Sequence, residues 1–262
     1  MHSSFSADSD TPMESMIQRA IELGIQGITF TEHLDPDYPA TPDGLDFSLD
    51  ISSYQKKLIE MQSLYKDKIH LRFGIELGLQ MHLGDYFNSL LSQTPFDFVI
   101  GSSHLVHGYD PYYPDFFEGR KEFLCYMEYF ESILENISVY DDFDVYGHID
   151  YVVRYGPNKN RQYSYGRYKD ILDEILKKLI SMGKGIELNT GGYHYGLGEP
   201  TPCVAVIKRY KELGGEIITV GADAHTPDKV AYAFDKAANV LETCGFKHYT
   251  VFKDRKPKFI SL

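Results

Sequence analysis

Short apolar runs alternate along this chain with stretches whose apolar residues recur every three or four positions. Gly27 to Phe30, Leu71 to Ile75, Phe96 to Ile100, Phe143 to Tyr146, Gly185 to Leu188, Ile217 to Val220 and Tyr249 to Phe252 read as strands. Several are apolar without clean alternation, the pattern of parallel strands covered on both faces. Between them, Met13, Met16, Ile17, Ala20 and Ile21 form one helical stripe that Gly24 ends, and Ile171, Leu172, Ile175, Leu176 and Leu179 repeat it before Gly183. Tyr54 to Leu64 and Phe123 to Leu134 fit further helices. Thr11-Pro12-Met13-Glu14 reads as a capping box, and Thr201-Pro202 and Thr226-Pro227 read as two more capped helix starts.

Strand and helix in alternation predict an α/β fold with a parallel sheet. About seven such units predict a sheet closed into a TIM-like barrel. No linker divides the chain, so residues 1–262 are expected to form one domain. The longest irregular stretches, Asp35 to Asp46 and Val106 to Gly119, both follow a strand end, where barrels carry their active-site loops.

Composition narrows the function. A net charge of −12 argues against nucleic acid as the main partner. It does not exclude a small anion, because a bound metal reverses the local field. Three cysteines without CxxC spacing point to reduced thiols and a cytoplasmic setting. No apolar run approaches the roughly 18 residues that span a bilayer, so no membrane partner is expected.

The chemistry lies in the residues just after each strand. Phe30 leads into Thr31-Glu32-His33, Ile75 into Glu76, and Ile100 into Gly101-Ser102-Ser103-His104. Tyr146 leads into Gly147-His148-Ile149-Asp150, and Val220 into Gly221-Ala222-Asp223-Ala224-His225. His2 and Asp8 lie near the start. One such residue alone reads as an ordinary hydrogen-bonded side chain. Five strand ends each delivering a metal-capable group to the face where barrels keep their sites is a different matter. Imidazole with carboxylate suits zinc, manganese or iron, and the absence of cysteine argues against a structural zinc site.

These motifs resemble the polymerase and histidinol phosphatase family across nearly the whole chain. Within it the resemblance points to the branch acting on L-histidinol phosphate, through Glu187-Leu188-Asn189-Thr190-Gly191-Gly192, Tyr195-Gly196-Leu197-Gly198-Glu199-Pro200 and Gly214-Gly215-Glu216-Ile217-Ile218-Thr219. The resemblance implies a distorted barrel of seven β/α units with three divalent metal ions. Carried over by motif, His2, Glu76 and Asp223 would hold one ion, and Glu76, His104 and His148 a second. Asp8, His33 and His225 would hold the third, with Asp8 standing where relatives often have His. Glu76, Asp223, His33 and His225 would then carry catalysis, the hydrolysis of a phosphate monoester by activated water without a covalent nucleophile. Arg154 is a candidate fork for phosphate oxygens, Arg161 and His194 are further substrate-binding candidates, and Glu118 could pair with a substrate amine. Asp150 could orient His148. His70 and His248 read as structural.

One departure matters. The family begins with His-x-His on its first strand. His2 matches the second histidine, so the first would fall before Met1, together with its strand. A barrel lacking a strand exposes two edges, so upstream residues are expected. A chain starting at Met1 would be expected to bind metal weakly. The alternatives are another phosphoesterase of the same family, acting on a nucleotide, a phosphoprotein or DNA ends, or a metal-binding protein without catalysis.

Overall fold

A computed structural model describes residues 1–41 and 43–262. The chain runs α1 (Met13–Glu22), β1 (Gly27–Leu34), α2 (Ile51–Tyr65), β2 (His70–Gly78), α3 (Gly84–Gln93), β3 (Phe98–Ser102), α4 (Glu122–Val139) and β4 (Val145–Tyr146). It continues α5 (Lys169–Ser181), β5 (Gly185–Asn189), the single turn α6 (Gly191–His194), α7 (Val204–Glu212), β6 (Ile218–Gly221), α8 (Phe234–Thr243), β7 (His248–Lys253) and β8 (Lys256–Ser261). Strands β1 to β6 form one parallel sheet in sequence order. Residues Met1 and His2 lie between its outer strands: Thr31 donates its N–H to the Met1 carbonyl at 2.9 Å, and His2 donates to the Ala224 carbonyl at 2.9 Å. The curled sheet is thereby bridged from β1 to the segment after β6, giving the barrel-type α/β architecture that the alternation predicts.

The helices cover the sheet with the predicted stripes. Met13, Met16, Ile17 and Ala20 of α1 are buried, as are Leu172, Ile175, Leu176 and Leu179 of α5. Each of these side chains other than that of Ala20 contributes about 1.5–3 kcal/mol of burial. Asp50 caps α2 by accepting from Ser53 N–H at 3.0 Å. Among the described residues no helix is long and apolar enough to cross a membrane.

Two elements differ from expectation. β7 is a strand, but it joins β8 in an antiparallel hairpin instead of continuing the parallel sheet. The hairpin turns at Asp254 and Arg255, both with positive φ, and packs beneath the amino ends of the barrel strands. Phe252 stacks on Phe98 at 5.1 Å between ring centroids, and Arg255 reaches Asp144. None of the three predicted caps forms: α7 starts after Cys203 and not at Thr201, and Thr226 precedes only a single 3-10 turn, both without a side-chain cap. Helix α1 starts after Pro12 with no side-chain cap. The Thr11 hydroxyl instead donates to the His225 carbonyl at 2.8 Å, and Glu14 accepts from Tyr65. A tertiary hydrogen bond has displaced the local one.

Candidate metal centre

All the strand-end candidates converge on the carboxyl face of the sheet. Glu76 lies near the carboxyl end of β2, two residues before its last, Gly78, and is 3% exposed. Its Oε2 lies 3.6 Å from His2 Nε2, and its Oε1 lies 3.2 Å from His104 Nε2 and 3.0 Å from His148 Nε2. His2 Nε2 is also 3.4 Å from Asp223 Oδ1. Asp8 Oδ2 lies 3.7 Å from His33 Nε2 and 3.1 Å from His225 Nε2. The donor atoms of His2, His33 and His225 fall within 4.8 Å of one another, as do those of His33, Glu76 and His104, so His33 joins the groups into one cluster.

These separations fit shared cations. Donors about 2.1 Å from one ion stand about 3.0 Å apart along an octahedral edge and about 3.4 Å along a tetrahedral edge. Unused capacity supports the same conclusion. Among the described residues, the buried side-chain polar atoms lacking a hydrogen-bond partner are His33 Nδ1, Asp35 Oδ2, His148 Nδ1, Asp150 Oδ1, Arg154 Nε and His225 Nε2. His225 Nε2 is close to Asp8 yet has no hydrogen-bonding geometry to it, as expected of two groups aimed at a common ion.

Local structure explains the aim of each group. His225 Nδ1–H donates to the Asp223 carbonyl at 2.9 Å, which leaves Nε2 as the free donor. Ser9 and Thr11 hydroxyls hold the His225 carbonyl from the amino-terminal segment. Asp223 itself sits at φ +54, a conformation uncommon outside glycine and found at functional turns. That turn delivers its carboxylate to His2 and to Arg154 Nη1 at 2.7 Å. Glu32, fully buried, accepts from Ser3 N–H, Ser3 Oγ and Ser6 Oγ, and so fixes the segment that carries His2.

Asp35 was not singled out from sequence, although it follows His33 by two residues. It accepts from His104 Nδ1 at 2.7 Å and orients that ring. Gly78 makes its room, since a Cβ there would stand 1.8 Å from Asp35 Oδ1. Asp150 behaves differently from expectation. It accepts from Cys203 N–H at 2.8 Å and makes no bond to His148, because the turn after His148 swings its carboxylate toward the Thr201–Cys203 loop.

Burial and neighbouring charges pull against each other at these groups. Burial would raise Glu76, but His104 and His148 hold it well below the usual carboxylate range. Burial would lower His104, but Asp35 and Glu76 hold it well above the imidazole range. His225 likewise resists the downward pull of burial and is raised to about 9 through Asp8 and Asp223. Glu187, which accepts from His148 N–H, is pushed up to about 7 by burial and by the charges of Glu76 and Asp223.

The remaining candidates separate. Arg154 is buried, bonded to Asp223 and Thr201, and packed on Tyr151 and Tyr195. His194 is exposed at the rim of a second cavity that shares Asp8, Tyr195, Asp223 and His225 with the first. Arg161 and Glu118 are exposed and line neither of these two cavities. His70 and His248 open strands at the opposite end of the barrel.

A curled parallel sheet with imidazoles and carboxylates gathered at its carboxyl rim defines a barrel protein that binds divalent metal. Comparison with known proteins is more specific. Residues 1–191 match the PHP domain family. A histidinol-phosphatase of Lactococcus lactis is 32% identical over 97% of this chain and 93% of its own, and a probable histidinol-phosphatase of Clostridium acetobutylicum is 31% identical over 94% and 93%. The crystal structure of the Lactococcus lactis histidinol phosphate phosphatase, complexed with zinc, L-histidinol and phosphate, superposes with a TM-score of 0.91 at 31% identity, covering 98% of this chain and 97% of that one. The chain belongs to the PHP family.

Proposed function

We propose that this chain is a histidinol-phosphatase, which hydrolyses L-histidinol phosphate to L-histidinol and phosphate at a centre of three divalent ions. It is a phosphoric monoester hydrolase of the PHP family, as its relatives are named. His2, Glu76 and Asp223 hold one ion, Glu76, His104 and His148 a second, and Asp8, His33 and His225 the third. The observation that carries the reading is the divided use of Glu76, with one oxygen 3.6 Å from His2 and the other 3.2 and 3.0 Å from His104 and His148. A carboxylate placed in this way bridges two cations.

When bound, such ions lower the pKa of water from 15.7 toward about 7 and place positive charge beside the phosphoryl oxygens. The protein supplies position. Asp35 holds His104 with Nε2 toward Glu76, and the Asp223 carbonyl holds His225 with Nε2 toward Asp8. Arg154 fixes Asp223 and keeps Nε unpaired, so its planar fork can also take a phosphoryl oxygen. His194 lines the second cavity, next to the proposed metal donors Asp8, Asp223 and His225. Zinc, manganese and iron all suit these donors, and zinc is the first to test because the Lactococcus lactis structure contains it. The three cysteines are buried and unpaired, which fits the reducing cytoplasm.

The test is a panel of phosphate monoesters with metal-loaded protein. L-Histidinol phosphate is expected to exceed nucleotide and sugar phosphates by about tenfold or more in kcat/KM. A chelator should abolish turnover and zinc restore it. Chelator-insensitive turnover, or histidinol phosphate lost among the other esters, overturns the reading.

A further inference from the structure

The two cavities share a floor and differ in their walls. The second, about 280 Å³, is walled on its far side by His194 and by Lys229, which pairs with Asp228 at 3.1 Å. The first, about 70 Å³, is walled by Tyr38, Phe47, Tyr151 and Asp110. Asp110 is buried, belongs to no proposed metal site, and lies in the long loop between β3 and α4. It is fixed from three directions. The Tyr38 hydroxyl, from the loop after β1, donates to Oδ2. Tyr112 N–H donates to Oδ1 at 2.7 Å, and the Tyr151 hydroxyl approaches the same oxygen at 3.4 Å. These donors are neutral. Arg154, which lines the same cavity, is committed to Asp223. Burial pushes the Asp110 carboxyl above its ordinary range, although the hydrogen bonds from Tyr38 and Tyr112 N–H and the charge of His104 oppose it.

We propose that Asp110 is the specificity-determining acceptor for a positively charged nitrogen of the substrate, so that this site selects phosphate monoesters bearing a cation a few bonds from the phosphate. A cation held against a carboxylate and between aromatic faces satisfies both. The phosphate then lies over the shared floor, beside Arg154 and the proposed metal donors. The proposal rests on the reading of L-histidinol phosphate as substrate, whose amine supplies the cation. It replaces Glu118, which is exposed outside this cavity.

The experiment compares zinc-loaded wild-type protein with Asp110→Asn on L-histidinol phosphate and on p-nitrophenyl phosphate, which has no cation. Loss of a charge-assisted contact predicts a fall of about 10- to 100-fold in kcat/KM for histidinol phosphate, carried mainly by KM, with p-nitrophenyl phosphate within about threefold. Equal losses on both esters, or none on histidinol phosphate, overturn the proposal. If Asp110→Asn does not fold, Tyr38→Phe carries the test, with a smaller loss confined to the cationic ester. Phosphoethanolamine against ethyl phosphate separates this proposal from the wider reading. Should wild-type protein ignore histidinol phosphate yet prefer phosphoethanolamine, and Asp110→Asn erase that preference, the reading fails and Asp110 keeps its role. A wild-type enzyme indifferent to the cation in both pairs removes it.

Discussion

At the carboxyl end of the barrel Arg154 meets Asp223 at 2.7 Å, and at the amino end Arg255 meets Asp144 at 2.7 Å. The pairs look alike and their surroundings do not. Around Asp144 the polar groups close on one another: Val99 N–H donates to it at 2.8 Å, Arg255 spans to Asp142, and Phe252 seals the layer against Phe98. Around Asp223, buried atoms are left over. Every unpartnered buried side-chain polar atom found among the described residues belongs to the strand ends and loops at this end. Native proteins rarely leave such groups unpaired without a use for them. One end of the barrel is therefore spent on stability, and the other keeps bonding capacity for ligands.

Glu76→Gln should break the upper end most severely. The amide keeps the shape but cannot bridge two cations. Activity on L-histidinol phosphate is expected to fall by at least about 10³-fold, with bound metal reduced and the far-ultraviolet circular dichroism retained. Full metal content with wild-type turnover would refute the bridging role. Arg255→Met should break the lower end instead. Stranding the buried Asp144 carboxylate costs about 3 kcal/mol, the low end of the range because Arg255 is partly exposed. Metal content and kcat below the melting transition should not move. The pH dependence has a definite sign. Burial raises the folded pKa of Asp144 above its ordinary value, although Arg255 opposes this, so its contribution to stability is largest below the unfolded pKa and is lost as pH rises through the folded one. The deficit of the variant should therefore be larger at pH 7 than at pH 4 in denaturant titrations. An equal deficit at both would show that Asp144 is not the stranded group.

How far these ends were legible depends on which interactions are local. His33, Glu76, His104, His148 and Asp223 could be read because each lies at or just beyond the end of an apolar run read as a strand, and a strand end fixes where the next residues point. The hairpin could not be read in the same way. Residues 248–253 look like another strand, and nothing in Asp254-Arg255 carries the glycine that marks a tight turn, although both adopt positive φ. Its buried positions, Thr250 and Phe252, do alternate with less buried ones, which is the signature of a strand with one covered face. Thr11 was misread because its hydroxyl serves the His225 carbonyl, 214 positions away. Asp110 was invisible for a related reason: its partners Tyr38 and Tyr151 come from two other loops, and loop-to-loop proximity leaves no periodicity in sequence.

Smaller effects sharpen the comparison. Asp35→Asn tests whether the upper end depends on its supporting groups as well as on its metal donors. The amide can present its oxygen to His104 Nδ1, but it lacks the charge that holds His104 well above the imidazole range. Loss of such a support typically costs about 10- to 100-fold in metal affinity or activity, and zinc titration followed by the same assay would measure it. An effect below about threefold, measured in that way, would mean that Glu76 alone places His104.

The weakest expected effects belong to Glu118 and Arg161, and they bear on where the upper end stops. Both are carried by long segments above the barrel; Arg161 is a candidate because its loop is expected to face the cavity, and Glu118 because a carboxylate could pair with a substrate amine. Both are exposed and neither lines the two cavities. A charge at the surface interacts with substrate through water and salt, which leaves little of the attraction a buried group would exert. Glu118→Gln and Arg161→Met are each expected to leave kcat/KM for L-histidinol phosphate within about twofold of wild type at physiological ionic strength. A loss of about tenfold in either would mean that its loop folds down onto bound substrate, and that the functional end of the barrel extends beyond the cavity walls into loops that stand open in the free protein.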